Sequence, residues 1–136
     1  AIGQAKRESG AARIRLVGYS GGGVVAALIA ERRDDVELLV TVAAPLDVAG
    51  WTRHHEVSPL AGSLSPDRRN ARAQAVRQVH FVGADDTVVP ADVVRAFIAG
   101  AGTAPRPTLI VVPGFDHVCC WAERWPEMLR QAAAEP

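Results

Sequence analysis

The chain reads as an α/β protein, a mostly parallel sheet with helices on both faces, and three observations predict it. Short apolar runs alternate with segments of helical length, the spacing expected of βαβ units. The run at 36–44, VELLVTVAA, is apolar almost throughout, as a strand covered on both faces must be. A glycine-rich turn, Gly18-Tyr19-Ser20-Gly21-Gly22, joins the first apolar run to a following helical segment.

Composition narrows the function classes. With 136 residues the chain forms one domain, and a chain of this size buries roughly two-thirds of its unfolded surface. Hydrophobic residues make up 49% and charged ones 22%, the ordinary balance of a globular protein. Lys+Arg and Asp+Glu stand at 15 each and no basic cluster with interleaved aromatics occurs, so nucleic acid is not an expected partner. The apolar runs fall short of the ~18 residues that a membrane helix needs. The opening AIGQAKRESG has no Met and no signal-peptide pattern, and is expected to be an internal point of a longer gene product.

In order, residues 1–12 read as a polar helix and turn closed by Gly10, followed by a strand at about 13–18 and a helix from the Ser20 turn to about 33. Asp34 and Asp35 break the pattern before the strand at 36–44, which Pro45 ends. From about 47 to 70 the chain turns polar and rich in Gly, Pro and Ser, and reads as an irregular, cap-like excursion over the sheet edge, closed by a short helix near 68–75. An alternating strand follows at 76–82, with Val76, Val79 and Phe81 as candidate core residues. A helix at 91–99 ended by Gly100 and Gly102, a strand at 107–112, and a helix at 119–134 containing Pro126 complete the order. The adjacent Cys119 and Cys120 offer neither a disulfide framework nor metal-ligand spacing, and are expected to be small core residues.

Ser20 lies where a strand passes sharply into a helix. Such a turn strains the backbone and pushes the hydroxyl out above the sheet. Glycines two before and two after it fit a turn too tight for a Cβ, and the Gly21 N–H at the helix start is a candidate oxyanion donor. A Gly/Ser-rich turn can equally be structural or cradle a phosphate, so the remaining loops decide. In a parallel sheet the functional loops lie at the carboxyl ends of the strands. Here they carry Ser20, the pair Asp85 and Asp86, and His117, in the order serine, acid, histidine.

These three segments, GYSGG, GADDTVVP and PGFDH, resemble the nucleophile, acid and histidine loops of the α/β-hydrolase superfamily. The resemblance covers nearly the whole chain but only the C-terminal half of the family's usual domain, implying a single, partial domain over 1–136 with strands five to eight of the usual eight. It implies a catalytic Ser20, Asp86 and His117, with Gly21 and Tyr19 at the oxyanion and substrate-binding positions. Asp86 is preferred to Asp85 because it falls on the D of the family-like G-x-x-D-x-x-V-P. Asp85 is expected to turn its carboxylate to local N–H groups, and Asp116 to be a turn residue. The implied function is a serine hydrolase of carboxylic esters or thioesters working through an acyl-enzyme, without cofactor or metal.

The family draws a second oxyanion donor from a loop after its third strand, which these residues do not include, so a full set of three residues in an incomplete machine is expected. The excursion replaces a large lid and favours small, accessible acyl substrates. The unpaired flank of the first strand is an expected surface for self-association. His54 and His55 read as an exposed loop pair, His80 as structural, and Trp51, Trp121 and Trp125 as core or rim aromatics, with an acyl pocket as their functional alternative. Two rivals stand beside the hydrolase: a non-catalytic interaction protein or inactive fragment, and a nucleotide-binding domain, which here lacks G-K-[ST] and the spacing of G-x-G-x-x-G.

Overall fold

The computed structural model describes residues 1–102 and 105–134. Four strands, β1 (Ile14–Tyr19), β2 (Val36–Val42), β3 (Arg77–Gly83) and β4 (Thr108–Val112), form one sheet in the order β1-β2-β3-β4, with every pairing parallel. Among the described residues six helices connect or flank them: α1 (Ile2–Ser9), α2 (Gly21–Ala30), α3 (Val48–His54), α4 (Ala71–Ala75), α5 (Ala91–Ala99) and α6 (Trp121–Ala134). The expected α/β class and parallel sheet are both present.

The sheet is covered on both faces, by two separate apolar clusters. On one face the small residues Ala26, Ala27 and Ala30 of α2 pack with Leu39, and α5 adds Val94 and Phe97. On the other face Leu38, Val40, Val79 and Phe81 pack with Trp121, Met128 and Ala132 of α6. Burying such a side chain fully stabilises the fold by about 1.5–3 kcal/mol. This two-sided cover explains why β2 and β3 are buried along nearly their whole length. The alternation expected for 76–82 is lost for that reason: Val76, Val79 and Phe81 are core, but so are His80 and Val82.

β1 is an edge of the sheet. Its outer residues Val17 and Tyr19 remain 48% and 45% exposed, whereas Ile14 and Leu16 pack against the α2 side. Among the described residues no helix is long and apolar enough to cross a membrane.

Element limits differ from expectation in instructive places. α2 stops at Ala30, capped by Glu31, short of the expected 33. The excursion contains a helix, α3, that its composition hides. Gly50 and the His54-His55 pair are poor helix formers, but the Asp47 carboxylate accepts the Gly50 N–H at 2.8 Å and caps the first turn. His54 therefore ends a helix and His55 caps it, where a loop pair was expected. α6 runs through Pro126. Cys119 and Cys120 are half-buried and joined to each other by a disulfide, which corrects the expectation of two free core thiols.

His80 occupies the centre of the sheet, in register with Thr41 of β2 and Leu109 of β4. It is fully buried, its Nδ1 lies 2.8 Å from the Thr41 hydroxyl, and its Nε2 has no partner. Burial lowers its pKa from 6.5 to about 4, because nothing there solvates an imidazolium. The unfolded chain takes up this proton first, so stability is unaffected above about pH 6.5. It falls by about 1.4 kcal/mol per pH unit as pH drops toward 4, and levels off below. Denaturant unfolding at pH 7 and pH 5 is expected to show a loss of about 2 kcal/mol that His80→Leu removes. Equal pH dependence in both proteins would contradict this.

Candidate active site

The site is built at the carboxyl ends of β1, β3 and β4, and begins with a strained turn. Ser20 sits at φ 50° and ψ −126°, in the positive-φ region that residues with a Cβ rarely adopt. Its N–H donates to the Val42 carbonyl, extending the ladder one residue past β1, and its own carbonyl accepts the Gly23 N–H. The chain therefore reverses from strand to helix within one residue. A Cβ at Gly18 would lie 2.3 Å from the Gly22 carbonyl oxygen, and one at Gly23 would lie 2.4 Å from the Ala44 Cβ. At Gly22 a Cβ would meet open space. The glycine needed after the serine is thus Gly23, where α2 presses on β2, and not the expected Gly22.

The acid loop follows Gly83. Asp86 is buried and both of its carboxylate oxygens are committed. Oδ1 accepts the N–H groups of Val88 and Val89 at 2.9 and 2.7 Å, and Oδ2 lies 3.0 Å from His117 Nδ1. The local N–H groups expected to hold Asp85 are held by Asp86 itself; Asp85 is exposed and bonded through its backbone.

The histidine loop is drawn onto the acid loop by main-chain bonds. Ala84 N–H donates to the Val112 carbonyl and Asp85 N–H to the Phe115 carbonyl, each at 2.9 Å. Asp116 turns its carboxylate back to the N–H groups of Val118 and Cys119, which hold its carboxyl below the usual range. His117 then stands between acid and serine, with its ring 16% exposed and its Nε2 3.1 Å from Ser20 Oγ. The geometry assigns the tautomer: Nδ1–H donates to Asp86 and Nε2 accepts from the serine hydroxyl.

Tyr19, expected at a substrate-binding position, lies between the histidine loop and an apolar cleft that it helps to line. Its hydroxyl donates to the His117 carbonyl at 2.6 Å, and its ring lies 5.4 Å from the imidazole. Burial and the carboxylates of Asp86 and Asp116 push the phenol pKa up, so it remains a donor at neutral pH. Trp121 Nε1 donates to the same carbonyl at 3.1 Å and to that of Asp116 at 3.0 Å. Gly21 opens α2, where helix geometry leaves the first N–H groups without intrahelical acceptors.

Beside Tyr19 lies an apolar cleft of about 440 Å³, lined chiefly by Val17, Val42, Val118, Trp121 and Trp125. Trp51 lies elsewhere, donating its Nε1–H to the Val88 carbonyl at 2.7 Å, and His55 Nε2 is 2.7 Å from that same oxygen. Sequence reasoning missed this pair because α3 was not expected. Among the described residues no cluster of three His, Cys, Asp or Glu side chains could hold a metal ion.

No family model matches the chain, and no curated protein does. Solved structures do. An α/β serine hydrolase homologue from Coxiella burnetii is 22% identical with a TM-score of 0.65, over 96% of this chain and 52% of its own. A bromoperoxidase from Bacillus anthracis is 15% identical with a TM-score of 0.66, over 98% and 72%. A monoacylglycerol lipase from Paleococcus ferrophilus is 15% identical with a TM-score of 0.62, over 96% and 71%. The chain shares the α/β-hydrolase fold of these structures and spans about half the length of the first of them.

One backbone contact should hold the acid and histidine loops together. A Cβ at Gly83 would lie 2.1 Å from the Phe115 carbonyl oxygen, which also receives the Asp85 N–H. Neither backbone can yield without breaking that bond. Gly83→Ala is therefore expected to lower unfolding stability by about 1–3 kcal/mol. Stability equal to wild type in denaturant melts would show that the loops are not joined in this way.

Proposed function

We propose that this chain carries the catalytic residues of a serine hydrolase that cleaves a carboxylic ester or thioester. The observation that supports it most is the continuous hydrogen-bonded line from Ser20 Oγ through His117 to the buried Asp86 carboxylate. Ser20 would attack the carbonyl carbon while His117 Nε2 takes its proton. The same imidazolium would deliver that proton to the departing alcohol or thiol, leaving an acyl group on Ser20. Water, activated by His117 in turn, would release the acid. Asp86 would hold the imidazole in its tautomer and stabilise its charge.

The Gly21 N–H at the start of α2 is the proposed oxyanion donor. A second donor would come from outside these residues, and losing one typically costs about 10²–10³ in rate. Turnover by this stretch of chain alone should accordingly be slow even where acylation is measurable. Small, accessible acyl groups are the proposed substrates, because the excursion is short and ties down onto the acid loop. The domain is proposed to be a partial one, and any self-association would run along the outer edge of β1.

A fluorophosphonate probe tests the reading directly. Wild type is expected to be labelled at Ser20 and Ser20→Ala to be spared. Asp86→Asn should label more slowly by a factor on the order of 10⁴, with Asp85→Asn close to wild type. Equal labelling of wild type and Ser20→Ala, or none of either, would favour an interaction protein that keeps the fold without its chemistry.

A further inference from the structure

α3 places two aromatic side chains, four residues apart, on one face. Both reach a single acceptor, the carbonyl of Val88: Trp51 through Nε1 and His55 through Nε2, each at 2.7 Å. A carbonyl only accepts, so His55 Nε2 carries a hydrogen, and the two donors occupy both lone pairs of the oxygen. The rings brace each other, with centroids 4.9 Å apart, and His54 packs edge-on against His55.

The Val88 carbonyl and the Val89 N–H belong to one peptide group. That group is planar, so fixing the oxygen on one side fixes the hydrogen on the other. That N–H donates to Asp86 Oδ1, with nitrogen and oxygen 2.7 Å apart. Donation to a carbonyl also polarises its amide and strengthens the bond that the N–H makes. The other oxygen of the same carboxylate meets His117 Nδ1.

We propose that Trp51 and His55 are positioning residues, which aim the Asp86 carboxylate at His117 by clamping the Val88–Val89 peptide from α3. The proposal uses the site as read under the proposed function, but its central claim concerns the Asp86–His117 pair and is measurable without turnover. In this arrangement the excursion is a brace for the acid loop as well as a cover for the sheet edge.

The decisive experiment follows the His117 Nδ1–H proton resonance by NMR at fixed pH in wild type, His55→Phe, Trp51→Phe and His55→Gln. The charged groups near that ring are Asp86 on the acid loop and Asp116 on its own loop, with the Tyr19 phenol from β1, and none of them is altered. A carboxylate held less firmly takes a weaker hydrogen bond from Nδ1–H, and a weaker bond leaves that proton less deshielded. The resonance is therefore expected to move upfield in His55→Phe and Trp51→Phe. His55→Gln, whose amide can donate to the Val88 carbonyl, should remain near wild type. The rate of fluorophosphonate labelling at Ser20 should fall roughly three- to tenfold in the first two and recover in the third.

Denaturant melts identify any variant that does not fold. His55→Phe, whose parent side chain lies at the surface end of α3, keeps the question open to test if Trp51→Phe does not fold. An unchanged His117 Nδ1–H resonance in folded His55→Phe would overturn the proposal whatever the labelling shows. Absence of Ser20 labelling in wild type would instead sink the hydrolase reading, and the resonance would still decide whether the clamp exists.

Discussion

A buried carboxylate is the constraint around which the rest of this structure is arranged. Taking an ionised Asp86 out of water costs several kcal/mol unless the surroundings replace its hydration. The chain replaces it with two backbone N–H groups on one oxygen and an imidazole N–H on the other. Those partners come from two loops that are distant in sequence. The hydrogen bonds that make burial tolerable are therefore the same ones that bring the acid and histidine loops together. Removing any one partner leaves a buried oxygen short of a donor, which makes the arrangement stiff.

The sheet supplies the common frame. Parallel pairing turns all strand ends the same way, and the register sets Gly18, Thr41, His80 and Leu109 in one row. Ser20 follows that row by two residues on β1, and the other two loops leave β3 and β4 just beyond it. Strain at Ser20 is held by the packing beneath it, where Gly23 meets Ala44 and Thr41 without room for a Cβ. The buried Thr41–His80 pair lies in that same layer, so the middle of the sheet carries a polar contact under the turn that presents the serine.

Much of this was legible in the sequence, for identifiable reasons. The apolar run at 36–44 announces a strand covered on both faces, and loop motifs at the ends of three strands announce which side chains can meet. Gly18 was readable because strand-to-helix turns of this kind need it. Gly22 was misread because the tight contact depends on how closely α2 approaches β2, which no five-letter pattern records. α3 was hidden because its stability comes from the Asp47 cap and from contacts to the acid loop, while its own residues favour helix poorly. The paired cysteines were read as core because adjacent thiols suggest no long-range link, and the bond they form is with each other.

What remained illegible has a common physical cause. The joints of the site end on backbone carbonyls: Val88 O receives Trp51 and His55, His117 O receives Tyr19 and Trp121, and Phe115 O receives the Asp85 N–H. A carbonyl is present at every position and has no letter of its own. The side-chain donors to these carbonyls, in contrast, are ordinary aromatic residues that read as core or rim. Such joints support Asp86 and His117 from behind, through rigid peptide planes. They also tolerate change in the supported residue, because any side chain at position 88 carries the same carbonyl. The donors at 51, 55, 19 and 121 must each keep an N–H or O–H in place, and it is the loss of that hydrogen that should disturb the line from Asp86 to Ser20.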